Sequence, residues 1–169
     1  MELRIRTIEE IKDIIYRENA KIMDFPVISD FTFPELYKEI VMINNTIDIS
    51  TNCLLYNIIE SKEKTEMYQK INKIIKNYWF IGEAGFDYWV MDKKGKIYYW
   101  ERPKEETIDV NINFEQWLKF AYLDKDNDKI LKKYEGFDPI VYEQGDKIEY
   151  NNKINEISKE LGKFILELY

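Results

Sequence analysis

The 169 residues carry 32 Asp and Glu against 25 Lys and Arg, a net charge of −7, which disfavours a phosphate-rich direct ligand such as DNA, RNA or an anionic membrane. With 45% hydrophobic and 34% charged residues the chain reads as one soluble globular domain, long enough to bury a core without staples. The absence of histidine and the single Cys53 exclude a Cys/His zinc site, a Cys–His nucleophile pair and an intrachain disulfide, so a reducing, cytoplasmic setting is expected.

The first ten residues lack the apolar stretch of a secretory signal, and no run approaches the roughly 18 apolar residues of a membrane-spanning helix. Thr7-Ile8-Glu9-Glu10 has the spacing of a capping box. Ile8, Ile11, Ile14 and Ile15 share one face of the helix it opens, which should end near Glu18 to Ala20. A loop around Pro26 follows. A second helix is expected from Thr32-Phe33-Pro34-Glu35, with Thr32 as cap, Leu36, Ile40 and Ile43 inward, and Asn44-Asn45-Thr46 as its stop. Leu54 to Ile59 reads as a strand. Ser61 then caps a charged third helix to about Lys76, with Met67, Ile71, Ile74 and Ile75 as its buried stripe.

Trp79 to Glu101, WFIGEAGFDYWVMDKKGKIYYWE, is the most telling stretch. A glycine-bracketed turn, Gly82-Glu83-Ala84-Gly85, precedes two aromatic, β-prone runs flanking Asp92-Lys93-Lys94-Gly95, a strong hairpin signal. A three-residue loop with left-handed Gly95 pairs Met91 with Ile97, Val90 with Tyr98, Trp89 with Tyr99, Tyr88 with Trp100, and Asp87 with Glu101. One face then carries Phe86, Tyr88, Val90, Tyr98 and Trp100. The other carries Asp87, Trp89, Met91, Ile97, Tyr99 and Glu101. Both faces are apolar at their centre, so either both are buried or one is an aromatic binding surface rimmed by acid. The opposed carboxylates Asp87 and Glu101 call for a cation between them, from Arg102, Lys104 or a partner.

Asn113-Phe114-Glu115-Gln116 resembles another capping box and opens a short helix packed through Trp117, Leu118 and Ala121. Beyond Tyr122 the segment 124–133 is dense in charge. Asp138-Pro139 marks a turn, and Ile140–Tyr142 with Lys147–Tyr150 are expected as a second hairpin around Gln144-Gly145. A C-terminal helix places Ile154, Ile157, Leu161, Phe164, Ile165 and Leu168 on one side, with Gly162 marking close packing. The trusted strands are hairpin-connected. The expected fold is therefore a single α+β domain over residues 1–169: an antiparallel sheet with a central aromatic hairpin, flanked by helices.

The order of these elements carries a family resemblance. Phe33-Pro34-Glu35-Leu36-Tyr37 through Asn44-Asn45, then Phe80-Ile81-Gly82 with Gly85-Phe86-Asp87-Tyr88, then Asp92 to Tyr98 and Asn113-Phe114-Glu115-Gln116-Trp117-Leu118, resembles the SUKH superfamily. The resemblance covers about residues 5–123 and leaves 124–169 as an extension. It departs at Asn44-Asn45, where the usual pattern has Asn-Gly. The resemblance implies a non-enzymatic binding domain: bacterial members are typically immunity proteins that neutralise polymorphic toxins, many of them nucleases, and fungal relatives act in cell-wall and signalling regulation. No binding residue transfers by position.

Three functional readings follow. The first is a cytoplasmic immunity-type protein that occludes a basic toxin, in the first place a nuclease. It contacts the toxin through Glu83, Asp87, Trp89, Tyr99 and Glu101, with Glu105, Glu106 and Asp109 as rim, and needs no cofactor or metal. The second keeps that surface in a phage- or mobile-element-borne inhibitor of a host defence nuclease, of anti-CRISPR type. The third is a carboxylate- or Ca²⁺-dependent hydrolase. Asp124, Asp126, Asp128 and Glu135 fall at positions 1, 3, 5 and 12 of an EF-hand loop, but Lys129 stands at position 6, where the turn needs Gly. No GxxxxGK[ST], GxGxxG or GxSxG motif supports another catalytic class.

Overall fold

The computed structural model describes residues 2–22, 24–71, 73–135 and 144–168. The first helix, α1 (Ile8–Glu18), starts as its sequence dictates: the Thr7 hydroxyl accepts the Glu10 N–H, and the Glu10 carboxylate accepts the Thr7 N–H. Helix α2 (Glu35–Ile40) is shorter than expected and has Pro34 at its cap. Thr32 does not cap it; the Thr32 N–H instead donates to the Lys93 carbonyl at 3.1 Å, tying this segment to the hairpin loop. The helix ends early because Ile43 pairs with Lys21 in an isolated bridge.

Strands β1 (Ile47–Ser50) and β2 (Cys53–Leu55) form a short hairpin, and β1 had no clear signal in the sequence. The expected strand over 54–59 stops at Leu55. There Asn57 Oδ1 accepts the Glu60 N–H at 3.0 Å and caps α3 (Ile58–Ile71), so Ser61 lies inside the helix. The inward stripe of α3 is polar: Ser61 and Thr65 are buried, while Met67 and Ile71 are exposed, contrary to expectation. The reason lies in the backbone of Phe80. Strand β2 pairs with β3 (Tyr78–Ala84) at Leu54–Glu83 and Leu55–Gly82, leaving Phe80 without a strand partner on that side. Ser61 Oγ donates to the Phe80 carbonyl at 2.6 Å, and Thr65 Oγ1 accepts the Phe80 N–H at 2.9 Å. A 3₁₀ turn over Lys73–Asn77 then buries Ile75; the Ile74 side chain lies outside the described residues.

Strand β4 (Asp87–Asp92) follows a two-residue turn at Gly85-Phe86, with Gly85 at φ 61°. Glu83 therefore sits in β3 opposite Tyr88 rather than in a turn. Gly82 is required by packing: a Cβ there would lie 1.9 Å from the Leu54 carbonyl oxygen. Strand β5 (Lys96–Glu101) pairs with β4 in the register derived from the loop, Met91–Ile97 through Tyr88–Trp100, with Gly95 at φ 91°. Strand β6 (Glu106–Asn113) completes an antiparallel sheet in which the strands lie in chain order, β1 and β6 at its edges.

Helix α4 (Phe114–Lys132) begins at the Asn113–Gln116 capping box and runs 19 residues, carrying the acidic segment with it. Lys147–Tyr150, expected as a strand, lies in α5 (Gln144–Ile157); its expected partner Ile140–Tyr142 lies outside the described residues, as does Asp138-Pro139. The C-terminal helix breaks at Ser158 before α6 (Lys159–Leu168). The Ser158 hydroxyl donates to the Val110 carbonyl at 2.9 Å and accepts the Leu161 N–H at 3.2 Å, joining the helix pair to β6. Gly162 packs under Asn155, whose Oδ1 would meet an added Cβ at 2.1 Å.

The sheet separates two cores. The larger holds Trp89, Met91, Ile97 and Tyr99 together with residues of α1, α2, α4, α5 and α6. The smaller, on the opposite face, holds Tyr56, Ile75, Phe80, Tyr88, Val90 and Trp100. The chain is a single α+β domain.

Candidate protein-binding surface

The smaller core is covered from one side. Tyr68 of α3 stacks on Phe80 at 4.7 Å between ring centroids and meets Trp100 edge-on at 5.5 Å. Its hydroxyl lies 2.7 Å from that of Tyr88. Tyr78 and Tyr98, farther along the same face, are only half-buried and pack edge to face at 5.7 Å. Between these two groups lies a cavity of about 90 Å³ with Val90 in its floor. Tyr78 and Phe80 wall it from β3, Trp100 and Thr107 from β5 and β6, and Ile75 from the 3₁₀ turn; Glu105 completes the lining.

Charge surrounds this corner. Lys96 pairs with Asp109 at 2.7 Å, and its Nζ lies 5.5 Å from the centroid of Tyr98. That hydrogen bond raises the Lys96 pKa and holds Asp109 below the usual carboxylate range. Burial, then the nearby Asp92 charge, pushes the Tyr98 hydroxyl up, so it stays a neutral donor. Glu105 and Glu106 are exposed and have no ion pair among the described residues.

The acids expected at the interface gather toward one end of the sheet but on both of its faces, Asp87, Glu101 and Glu106 on the Trp89 side and Glu83 and Asp109 on the Tyr98 side. The strand register brings Asp87, Glu101 and Glu106 to one end of the sheet, with Glu105 in the β5–β6 turn, Glu83 one residue inward and Asp109 opposite Tyr98. Several are engaged internally. Asp87 accepts the Tyr99 hydroxyl at 2.6 Å and the Arg102 N–H at 2.9 Å. Glu101 pairs with Lys104 at 2.8 Å, so the two opposed carboxylates are relieved separately. Glu83 accepts the Tyr56 hydroxyl.

The two expected aromatic contacts are core residues. Trp89 is fully buried, with its indole N–H donating to the Asn52 carbonyl at 2.8 Å. Tyr99 is 5% exposed beneath Phe164. A partner reaches neither. Tyr78 and Tyr98, on the opposite face, are partly exposed, and Phe86 in the β3–β4 turn is 88% exposed. Tyr98 was already assigned to that face by the hairpin pairing; which face stayed open was the missing information.

The EF-hand reading fails on conformation, since Asp124, Asp126 and Asp128 lie within α4 rather than in a loop. Asp124 is fully buried and accepts the Tyr150 hydroxyl and the Asn52 side-chain amide; burial raises its pKa against the effect of Tyr150. Asp126 pairs with Arg6, and Asp128 accepts the Thr51 N–H at 2.8 Å. No group of three or more His, Cys, Asp or Glu that could hold a metal ion occurs among the described residues. Cys53 is a buried small residue whose thiol pKa is pushed up by burial.

A second open surface runs along α3, where a cavity of about 600 Å³ is lined by Ile22, Pro26, Met42 and Ile59 among others. Its rim mixes Asp24, Glu63 and Glu66 with Lys62, which lies 3.9 Å from Glu66. No helix among the described residues is long and apolar enough to cross a membrane.

Residues 22–119 match the model of the SMI1 / KNR4 family (SUKH-1). That segment runs from the loop before α2 into α4 and includes the whole sheet and the open corner. No curated protein and no solved structure matches the chain.

Proposed function

From the premise that the chain belongs to the SMI1/KNR4 family (SUKH-1), we propose that it is an immunity-type protein that neutralises a basic toxin, in the first place a nuclease, by binding it. The observation that carries this reading is the open corner. A half-buried tyrosine pair shares a face with the cavity that Glu105 lines, and Glu105 and its neighbour Glu106 are exposed with no ion pair among the described residues. Aromatic side chains with a polar tip supply contact area at low entropic cost, and unpaired acids at the rim select a basic partner.

The mechanism is occlusion without a catalytic step. A nuclease cleft concentrates Lys and Arg to hold phosphates. Carboxylates of Glu105, Glu106 and Asp109 take the positions that phosphates occupy, while Tyr78 and Tyr98 exclude water. The net charge of −7 speeds the encounter, by roughly 10- to 1,000-fold at low salt. The protein acts in the compartment where the toxin does its damage, the cytoplasm.

The test is co-expression with the product of the neighbouring toxin gene, read as growth rescue and as co-purification at two salt concentrations. Rescue that is lost when Glu105 and Glu106 are both changed to Lys, and that weakens with salt in vitro, supports the reading. A well-expressed chain that gives no rescue, or rescue indifferent to this charge reversal, refutes it.

A further inference from the structure

We propose that the cavity beside the β5–β6 turn is a receptor for the guanidinium end of a single arginine side chain supplied by the protein partner. This rests on the binding reading above and specifies its chemistry. Three observations carry it. The cavity's size limits the occupant: about 90 Å³ is far below the roughly 300–1,000 Å³ of a small-molecule site. It admits the end of one side chain and little more.

Its lining selects the charge. Tyr78, Phe80 and Trp100 line the space, and a cation seated against them lies within the roughly 6 Å reach of cation–π attraction. Glu105 supplies the counter-charge. Its neighbours Glu101 and Asp109 are matched by Lys104 and Lys96, whereas Glu105 has no ion pair among the described residues. Planar guanidinium stacks on aromatic rings and forks onto a carboxylate, and it is more weakly hydrated than ammonium, so arginine suits a partly dry cavity better than lysine.

The third observation is backbone strain. Glu105 stands at φ 53°, the left-handed region that glycine fills without cost and a branchless acidic residue does not. A turn optimised for stability would place Gly there. A carboxylate held in this conformation at the mouth of an aromatic cavity is explained by what it binds.

The experiment titrates the whole chain with N-acetyl-arginine methylamide and follows ¹H–¹⁵N resonances. The expected result is saturable shifts of the Trp100 indole N–H and the Glu105 and Thr107 amides at millimolar probe, in the order expected for one side chain. The citrulline analogue, the same shape without charge, should bind at least about tenfold more weakly, and the Glu105→Gln variant should lose a similar factor while its spectrum otherwise remains folded. The lysine analogue should bind more weakly than arginine. Equal shifts with arginine and citrulline, shifts confined to the α3 surface, no shifts at all, or an unaffected Glu105→Gln variant each overturn the proposal. Arginine binding with failed growth rescue would refute the toxin reading and leave the cavity assignment standing; rescue without arginine binding would do the reverse.

Discussion

Trp89 and Tyr98 belong to the same hairpin, point to opposite faces of the sheet, and differ in what lies over them. Trp89 is fully buried, with Trp117 and Phe120 each 6.2 Å away. Tyr98 stays partly exposed because α3 and a 3₁₀ turn cover only part of its face. The apolar pattern of the two faces is alike. What separates a core face from a contact face is the supply of covering helices, four or more on one side and essentially one on the other.

Replacing Trp89 by Ala should have the largest effect, about 3–5 kcal/mol from the cavity it leaves, with the lost indole N–H bond to the Asn52 carbonyl adding to it. Tyr98→Ala should cost less, about 1.5 kcal/mol, since part of the ring is already in water. Urea unfolding of the two variants decides: equal losses would mean that the faces are equally sealed.

The thin cover of the open face hangs on two hydroxyls. Thr65→Val keeps the shape but leaves the buried Phe80 N–H without its acceptor, an expected loss of about 1–3 kcal/mol. A neutral result would show that α3 is held by its apolar contacts alone.

The two sides should also answer acid with opposite signs. Asp124, on the sealed side, has a folded pKa raised above its ordinary 3.8, so between these values the native state holds the extra proton. Stability from this group therefore falls as pH rises through that window, by at most about 1.4 kcal/mol per pH unit, and Asp124→Asn should remove the slope. Asp109, at the open corner, has a lowered pKa from Lys96. Its contribution is present above pH 3.8 and is lost as pH falls through its lower folded value, so Asp109→Asn removes a slope of the other sign. Denaturation midpoints between pH 3 and 6 (an approximate range spanning the carboxylates) test both.

The smallest expected change is a gain. Glu105→Gly relieves a left-handed residue and should stabilise the fold by up to about 1 kcal/mol, while weakening capture of a basic partner. A loss of stability instead would mean that the Glu105 side chain supports its own turn.

Local chemistry was legible along much of the chain. The Thr7–Glu10 and Asn113–Gln116 boxes and the Gly95 loop with its four-residue register depend on neighbours in sequence, and each formed as expected. Errors arose where a distant group competed. Ser61 looks like a cap and is instead a buried donor to Phe80; Met67 and Ile71 look like core and face water because α3 turns its hydroxyls inward. The local clustering of acid was legible in the sequence, whereas Trp89 and Tyr99, expected as contacts, are buried in the larger core.

The sequence by itself therefore determined the α+β class, the family pattern, the hairpin pairing and the excess of acid, because turns, caps and alternation act within a few residues. Only the tertiary structure decided that α4, rather than a loop, carries Asp124 to Asp128, and that Trp89 is core while Tyr78 and Tyr98 reach the surface. Alternation of period two sorts side chains into two faces without ranking them; burial follows from where the helices, tens of residues away, come to rest.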